Sequence, residues 1–320
     1  MKTLKRALIV GGASDELNTN SILRQFVAEG MQTAFPEALI VECGPDRARD
    51  HVRNLLPELV LIFGSIMLDD VDHLPAVETA RRAGGRIAFW LHDDPYEFDS
   101  AYRALPMADV IFTNEVACLD FYPASVPTHH LPLGASITRH FRPVGYRSGA
   151  DLFFCGHMYP NRQDVLSGIE SLSELDAMNI VFCGSSDSPI VSPHWTGLRL
   201  SNAALADFNN TSLSVLNVGR ELDLANARFD VKPATPGPRT FEAAMSGATQ
   251  IFFGPGHEIE RYFEPGHECL RALSHEELVD HVARLKREPT TSIAIGSAAQ
   301  ARARRDHSYA DRAKILVSHV

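Results

Sequence analysis

Five short, almost uninterrupted apolar runs divide the first 113 residues, and stretches with helical periodicity lie between them. The runs are "RALIV" (6–10), "ALIVEC" (38–43), "ELVLIFG" (58–64), "RIAFWL" (86–91) and "DVIFT" (109–113). A strand with one solvated face alternates apolar and polar residues. A strand covered on both faces reads as continuously apolar, which is what these runs show. The spacing predicts helices over 19–30, closed by Gly30, and over 46–55, 74–83 and 115–121. Strands alternating with helices in this way define a parallel, doubly wound α/β sheet.

The segment "HHLPLGASITRHFRPVGYRSG" (129–149) has no clear period and reads as an interdomain linker. After it the rhythm restarts. Strands are expected at 150–156, 179–184, 212–218 and 249–253. Helices are expected at 162–176, 238–246, 275–287, 291–306 and 308–319. "FFCG" and "VFCG" end two strands 28 residues apart, the length of one β-α-β unit. The expected fold class is therefore α/β with two Rossmann-like doubly wound domains facing a central cleft. The boundaries fall at 1–140 and 141–306, with a final helix over 307–320 that crosses back to the first domain. Such sheets bind ligands beyond the carboxyl ends of their strands, so those ends hold the candidate residues.

Totals narrow the partners. The formal net charge is −10, which disfavours broad nucleic-acid or anionic-membrane binding. Five scattered cysteines with no CxxC pair indicate reduced thiols in a cytoplasmic protein, neither a disulfide frame nor a zinc site. "MKTLKRALIVGG" reads as a first strand, since a signal peptide needs a longer apolar region and a cleavage site. No run reaches the roughly 18 apolar residues of a transmembrane helix.

The densest candidate is "PGPRTFEAAMSGA" (236–248). Pro238 suits a first helical position, and Gly237 permits close backbone approach. A helix start attracts phosphate, and Arg239 adds a permanently charged donor fork. Glu242, one turn deeper, can accept hydrogen bonds from two vicinal hydroxyls of a ribose. Thr240 and Phe241 lie between them. The alternative is an internal Arg239–Glu242 pair at three-residue spacing. In "FWLHDDPYEF" (89–98), His92 or Asp93 is a candidate base, while Asp94 before Pro95 suits a helix cap. A metal held by Asp93 and Asp94 would need Glu97 or Asp99 as a third carboxylate, and none is expected. Gly11 and Gly12 follow the first strand without a full GxGxxG. They form either a phosphate or acceptor loop, or a plain turn. Gly156 and Gly184 end the paired strands and, with Thr240 and Phe241, are candidate donor-binding residues. Arg162 either joins Arg239 at the phosphates or is solvated.

In order along the chain, "FWLHDDP", "ADVIFTNEVACLDFYP", "LPLGASITRHFRP", "DLFFCGHMYPNRQDVL", "PGPRTFEAAMSGATQIFF", "EIERYFEPGHECL", "LSHEELVDHVARL" and "DHSYADRAKIL" resemble the CgeB-like (spore maturation protein CgeB) group of glycosyltransferases, which adopt the GT-B fold. The resemblance implies donor binding on the C-terminal domain. The residue in the place of Glu242 holds the ribose, and basic residues hold the diphosphate. His92 lies near the transferred sugar. Many retaining GT-B enzymes carry a second glutamate eight positions before the ribose glutamate; here that position is Ala234, and retention or inversion is left open. The implied activity is a cofactor-free transfer from a nucleotide-diphosphate sugar, UDP favoured, to a glycan, protein or small-molecule acceptor. The alternatives are a nucleotide-sugar epimerase and a non-catalytic nucleotide- or glycan-binding module.

Overall fold

The computed structural model describes residues 4–17, 21–175, 177–256 and 258–320. In chain order it places β1 (Arg6–Gly11), α1 (Ser21–Ala34), β2 (Leu39–Cys43), α2 (Ala48–Leu55), β3 (Leu59–Phe63), α3 (Leu74–Arg82), β4 (Arg86–Leu91), β5 (Val110–Thr113) and β6 (Thr128–His130). There follow α4 (Ile137–His140), β7 (Leu152–His157), α5 (Pro160–Glu170), β8 (Ile180–Ser185), α6 (Asn202–Thr211), β9 (Val215–Val218), α7 (Pro238–Met245), β10 (Gln250–Phe253), β11 (Leu270–Ala272), α8 (His275–Arg287), α9 (Pro289–Asp306) and α10 (Tyr309–Ser318). The chain divides into two compact units. Unit 1 takes Met1–Gly134, Asp223–Thr235 and Ser308–Val320; unit 2 takes Ala135–Leu222 and Pro236–His307.

Unit 1 is a six-stranded parallel sheet in the order β2-β1-β3-β4-β5-β6. Its apolar runs send alternate side chains to opposite faces, as the pleat requires. Ala7, Ile9, Leu61, Phe63 and Trp90 face a core built with α1 and α10. Leu8, Val10, Val60, Ile62 and Phe89 face a second core with α2 and α3. Both faces are covered, which is why the strands read as unbroken apolar runs. Gly30 does not close α1. The helix runs on to Ala34, and Gly30 sits where α10 crosses it. A Cβ on Gly30 would lie 2.5 Å from the Tyr309 Cβ, so only glycine lets the two helices meet. The expected start of this helix at residue 19 lies outside the described residues.

Unit 2 is a five-stranded parallel sheet in the order β11-β10-β9-β7-β8. In sequence order within the unit this is the same 2-1-3-4-5 arrangement that begins unit 1. The 28-residue repeat is visible as register: Cys155 pairs with Cys183 and Gly156 with Gly184 on adjacent strands. One face packs Phe154, Phe182 and Leu216 against α5 and α8. The other packs Phe153, Cys183 and Val215 against α6 and α7.

Several expectations change. Residues 129–149 are not a plain linker: β6 pairs with β5 and completes the first sheet, and α4 follows, capped by Ser136. Residues 115–121 form a 3₁₀ turn rather than an α-helix. Helix α5 begins at Pro160, a proline in its first turn. Helix α6 and strand β11 carried no recognised period; α6 is rich in asparagine and buries only a narrow face of Leu205, Ala206 and Asn209. Residues 223–235, expected in the C-terminal domain, belong to unit 1. Leu224 and Ala225 donate backbone N–H groups to Tyr96 O, and Asp99 N donates to Ala225 O. The buried Glu115 carboxylate accepts from Ala234 N and Thr235 N at 3.0 and 2.9 Å. The position of the second glutamate of many retaining enzymes is therefore a backbone anchor here.

Candidate functional site

In each sheet the chain order reverses beside the first strand, where a doubly wound sheet opens a ligand crevice. The two units treat that point differently. In unit 1, β1 and β3 stay paired to Gly11 and Phe63, and Gly12 N then donates to Phe63 O at 2.9 Å. A Cβ on Gly12 would stand 2.3 Å from Ser65 O, so the turns after the two strands touch backbone to backbone. Gly12 O also meets His73 Nε2 at 2.8 Å. Gly12 thus serves close packing, while a Cβ on Gly11 would stand 2.7 Å from Arg24 Nη1.

In unit 2 the strands part. β7 and β8 remain in register through His157 and Ser185, but β7 and β9 pair only at Phe153 and Val215. A cavity of about 40 Å³ fills the fork, lined by Cys155, Arg162, Asn217, Arg239 and Ala243 among others. Arg162 clips the fork shut on one side. Its guanidinium donates to His157 O at 2.7 Å and to Val218 O at 2.9 Å, the carbonyls ending β7 and β9. It also lies over the Phe154 and Tyr159 rings. Arg162 therefore spends donors on strand ends, which gives it a positioning role. Gly184 has φ +132°, and a Cβ there would fall 1.9 Å from Gly156 O. The glycine pair is set by this contact.

Helix α7 begins over the same fork. Its cap, Gly237, brings no side-chain bond, and Pro238 opens the first turn. Arg239 donates from Nη1 to Glu242 Oε2 at 2.7 Å; the arginine side chain is half exposed and the glutamate buried. The i,i+3 pair weighed from the sequence thus forms, at the mouth of the site. His140 of α4 completes the group. Its Nδ1 accepts from Ser136 N at 3.1 Å, so Nε2 carries the hydrogen. That nitrogen faces Glu242 Oε1 at 3.9 Å. Burial holds the His140 pKa below its ordinary value, even against the pull of Glu242. Sequence reading missed His140 because it lay in the supposed linker; the Ser136 cap three residues before Arg139 was the available signal. Thr240 is buried. Phe241 is fully buried against Tyr262, 5.5 Å between ring centres, and belongs to the packing face of α7.

A second cluster lies at the end of β4 in unit 1. His92 Nδ1 and Asp93 Oδ2 are 3.0 Å apart, with His92 buried and Asp93 partly open. The Phe63 ring lies 5.2 Å from the His92 ring. Glu97 accepts from Ser65 Oγ at 2.6 Å and from Ile66 N at 3.3 Å; burial raises its pKa. Asp94 caps no helix. Its Oδ2 accepts from Thr113 Oγ1 at 2.6 Å and Tyr122 OH at 2.8 Å, locking β4 to β5. Among the described residues, no three His, Cys, Asp or Glu side chains are grouped to hold a metal ion. Among them, too, no helix is long and apolar enough to cross a membrane.

Two like-ordered parallel sheets in one chain are the architecture of GT-B proteins, and comparison with solved structures bears this out. Anabaena HepE in complex with UDP superposes with a TM-score of 0.63 at 11% identity, covering 98% of this chain and 99% of that one. Sucrose-phosphate synthase from Thermosynechococcus elongatus gives 0.61 at 10% identity and 98% of both chains. A glycosyltransferase from Rickettsia africae gives 0.62 at 9% identity, with 99% and 98% covered. Residues 163–318, from α5 to the end of α10, match the family described as glycosyl transferase-like. No curated protein matches the sequence.

Proposed function

We propose that the protein is a glycosyltransferase that takes a nucleoside-diphosphate sugar, UDP-linked by preference, as donor on unit 2. The observation that carries this is the fork between β7 and β9, with a cation and a buried carboxylate placed at its mouth by the first turn of α7. The glycosyl transferase-like match covers α7, and HepE has been solved with UDP and with UDP-glucose. The ordered stretches that resemble the CgeB-like group narrow the reading to that branch.

The roles follow from charge and reach. Arg239 and the start of α7 face the diphosphate, where negative charge grows as the sugar departs; fixed donors there need no reorganisation. Glu242 accepts from the ribose hydroxyls while Arg239 Nη1 donates to its Oε2 and His140 stands behind it. Arg162 ties the ends of β7 and β9 together on one side of the fork. His92 and Asp93, in unit 1, handle the acceptor hydroxyl. The donor supplies the reacting group, so this chain contributes binding, charge and proton handling.

Calorimetric titration with UDP and with pyrophosphate tests the donor assignment. Arg239→Ala is expected to weaken both by about tenfold or more, the effect of one charged hydrogen bond. Glu242→Gln is expected to weaken UDP and spare pyrophosphate. Unchanged UDP affinity in Arg239→Ala, or equal losses of both ligands in Glu242→Gln, would reject the assignment.

A further inference from the structure

We propose that Cys155 and Cys183 form a reactive dithiol, converted to a disulfide by hydroperoxides and chelated by trivalent arsenicals. The two residues are direct register partners on neighbouring parallel strands, so their side chains leave the same face of the sheet. Strands so paired lie roughly 4.8 Å apart, inside the Cα separation that a disulfide bridges. Both side chains lie on the face packed by α6 and α7. Cys155 lines the cavity in the fork beside Arg239, which gives a small oxidant a path to its sulfur. Cys183 is buried behind it.

Their electrostatics divide the labour. The Cys155 thiol is drawn below its ordinary pKa, first by the hydrogen bond that Cys183 donates and then by the Arg239 charge, against burial. Cys183, as the donor, is pushed up. The remaining thiols are set apart: burial pushes Cys43 up to about 11 and Cys269 up to about 12, and raises Cys118 further. The thiolate is the reacting form, and Cys155 is the member of the pair that lines the cavity, so Cys155 attacks first. Its sulfur takes one oxygen of hydrogen peroxide, the O–O bond breaks, and the departing hydroxide takes a proton from solvent. Cys183 sulfur then displaces the hydroxyl of the sulfenic acid, and its own proton leaves with that hydroxyl as water. Two thiols lose two protons and two electrons, and one peroxide becomes two waters.

The inference does not depend on the sugar-transfer reading, because its tests read thiol chemistry alone. The full chain is treated with hydrogen peroxide, denatured, alkylated and mapped without reduction. The expected product has lost two hydrogens, links the peptides of Cys155 and Cys183, and leaves the other three cysteines alkylated. In Cys183→Ser, dimedone should trap a sulfenic acid on Cys155 and no linked product should form. Phenylarsine oxide should be retained by the native protein and lost from Cys155→Ser and Cys183→Ser alike, with thermal melts confirming that both variants fold. Five alkylated cysteines after peroxide, a link to any other cysteine, or arsenical retention by either variant would overturn the proposal.

Discussion

At the scale of single residues, burial decides what each acidic and basic group does. Asp94 shows this most clearly. Burial pushes its pKa up to about 7 from an ordinary 3.8, against hydrogen bonds from Thr113 and Tyr122 that favour the carboxylate. Between those values the folded chain holds a proton that the unfolded chain has released. The stability from that proton is complete below about pH 4 and is lost as the pH rises towards 7. Urea unfolding should show wild type losing stability relative to Asp94→Asn across this window, with a constant difference above it; a pH-independent difference would contradict the buried, protonated Asp94. His92 differs: it is buried with its Nδ1 3.0 Å from Asp93 Oδ2, the contact on which its proposed role as base rests. His92→Ala should cut sugar transfer by about a hundredfold or more while UDP affinity holds. Wild-type turnover would remove its assigned role.

At the scale of elements, close contacts account for residues whose roles sequence reading left open or placed elsewhere. Gly12, Gly156 and Gly184 sit where strand-end backbones touch, and Gly30 where α10 crosses α1. Arg162 bonds the ends of β7 and β9. Arg162→Met keeps the stem and removes the donors, so it should lower the melting temperature by roughly 2–4 °C per kcal/mol lost. Its effect on UDP affinity should be smaller than that of Arg239→Ala. The reverse order, measured by calorimetry, would return Arg162 to the phosphates.

At the scale of the whole molecule, the chain does not finish one unit before starting the next. Residues 223–235 and 308–320 both belong to unit 1. In α10, Tyr309, Ala313, Leu316 and Val317 are buried with Phe26 and Met31 of α1. Each large apolar side chain of this kind is worth about 1.5–3 kcal/mol when buried. A chain ending at His307 should therefore unfold in a separate, lower transition by scanning calorimetry, or aggregate. A single transition at the wild-type temperature would show that α10 adds no stability.

The sequence by itself determined the two parallel sheets, because strands covered on both faces must be apolar along their whole length. It also marked the stiff entry to α7, because proline and glycine constrain the backbone locally. Tertiary structure decided the rest. Whether Arg162 meets carbonyls, whether β7 leaves β9, and that His140 stands behind Glu242 all depend on residues dozens of positions apart. Local periodicity carries no record of such meetings. The return of residues 223–235 to unit 1 is of the same kind, since its anchor is a buried carboxylate more than a hundred residues away at Glu115.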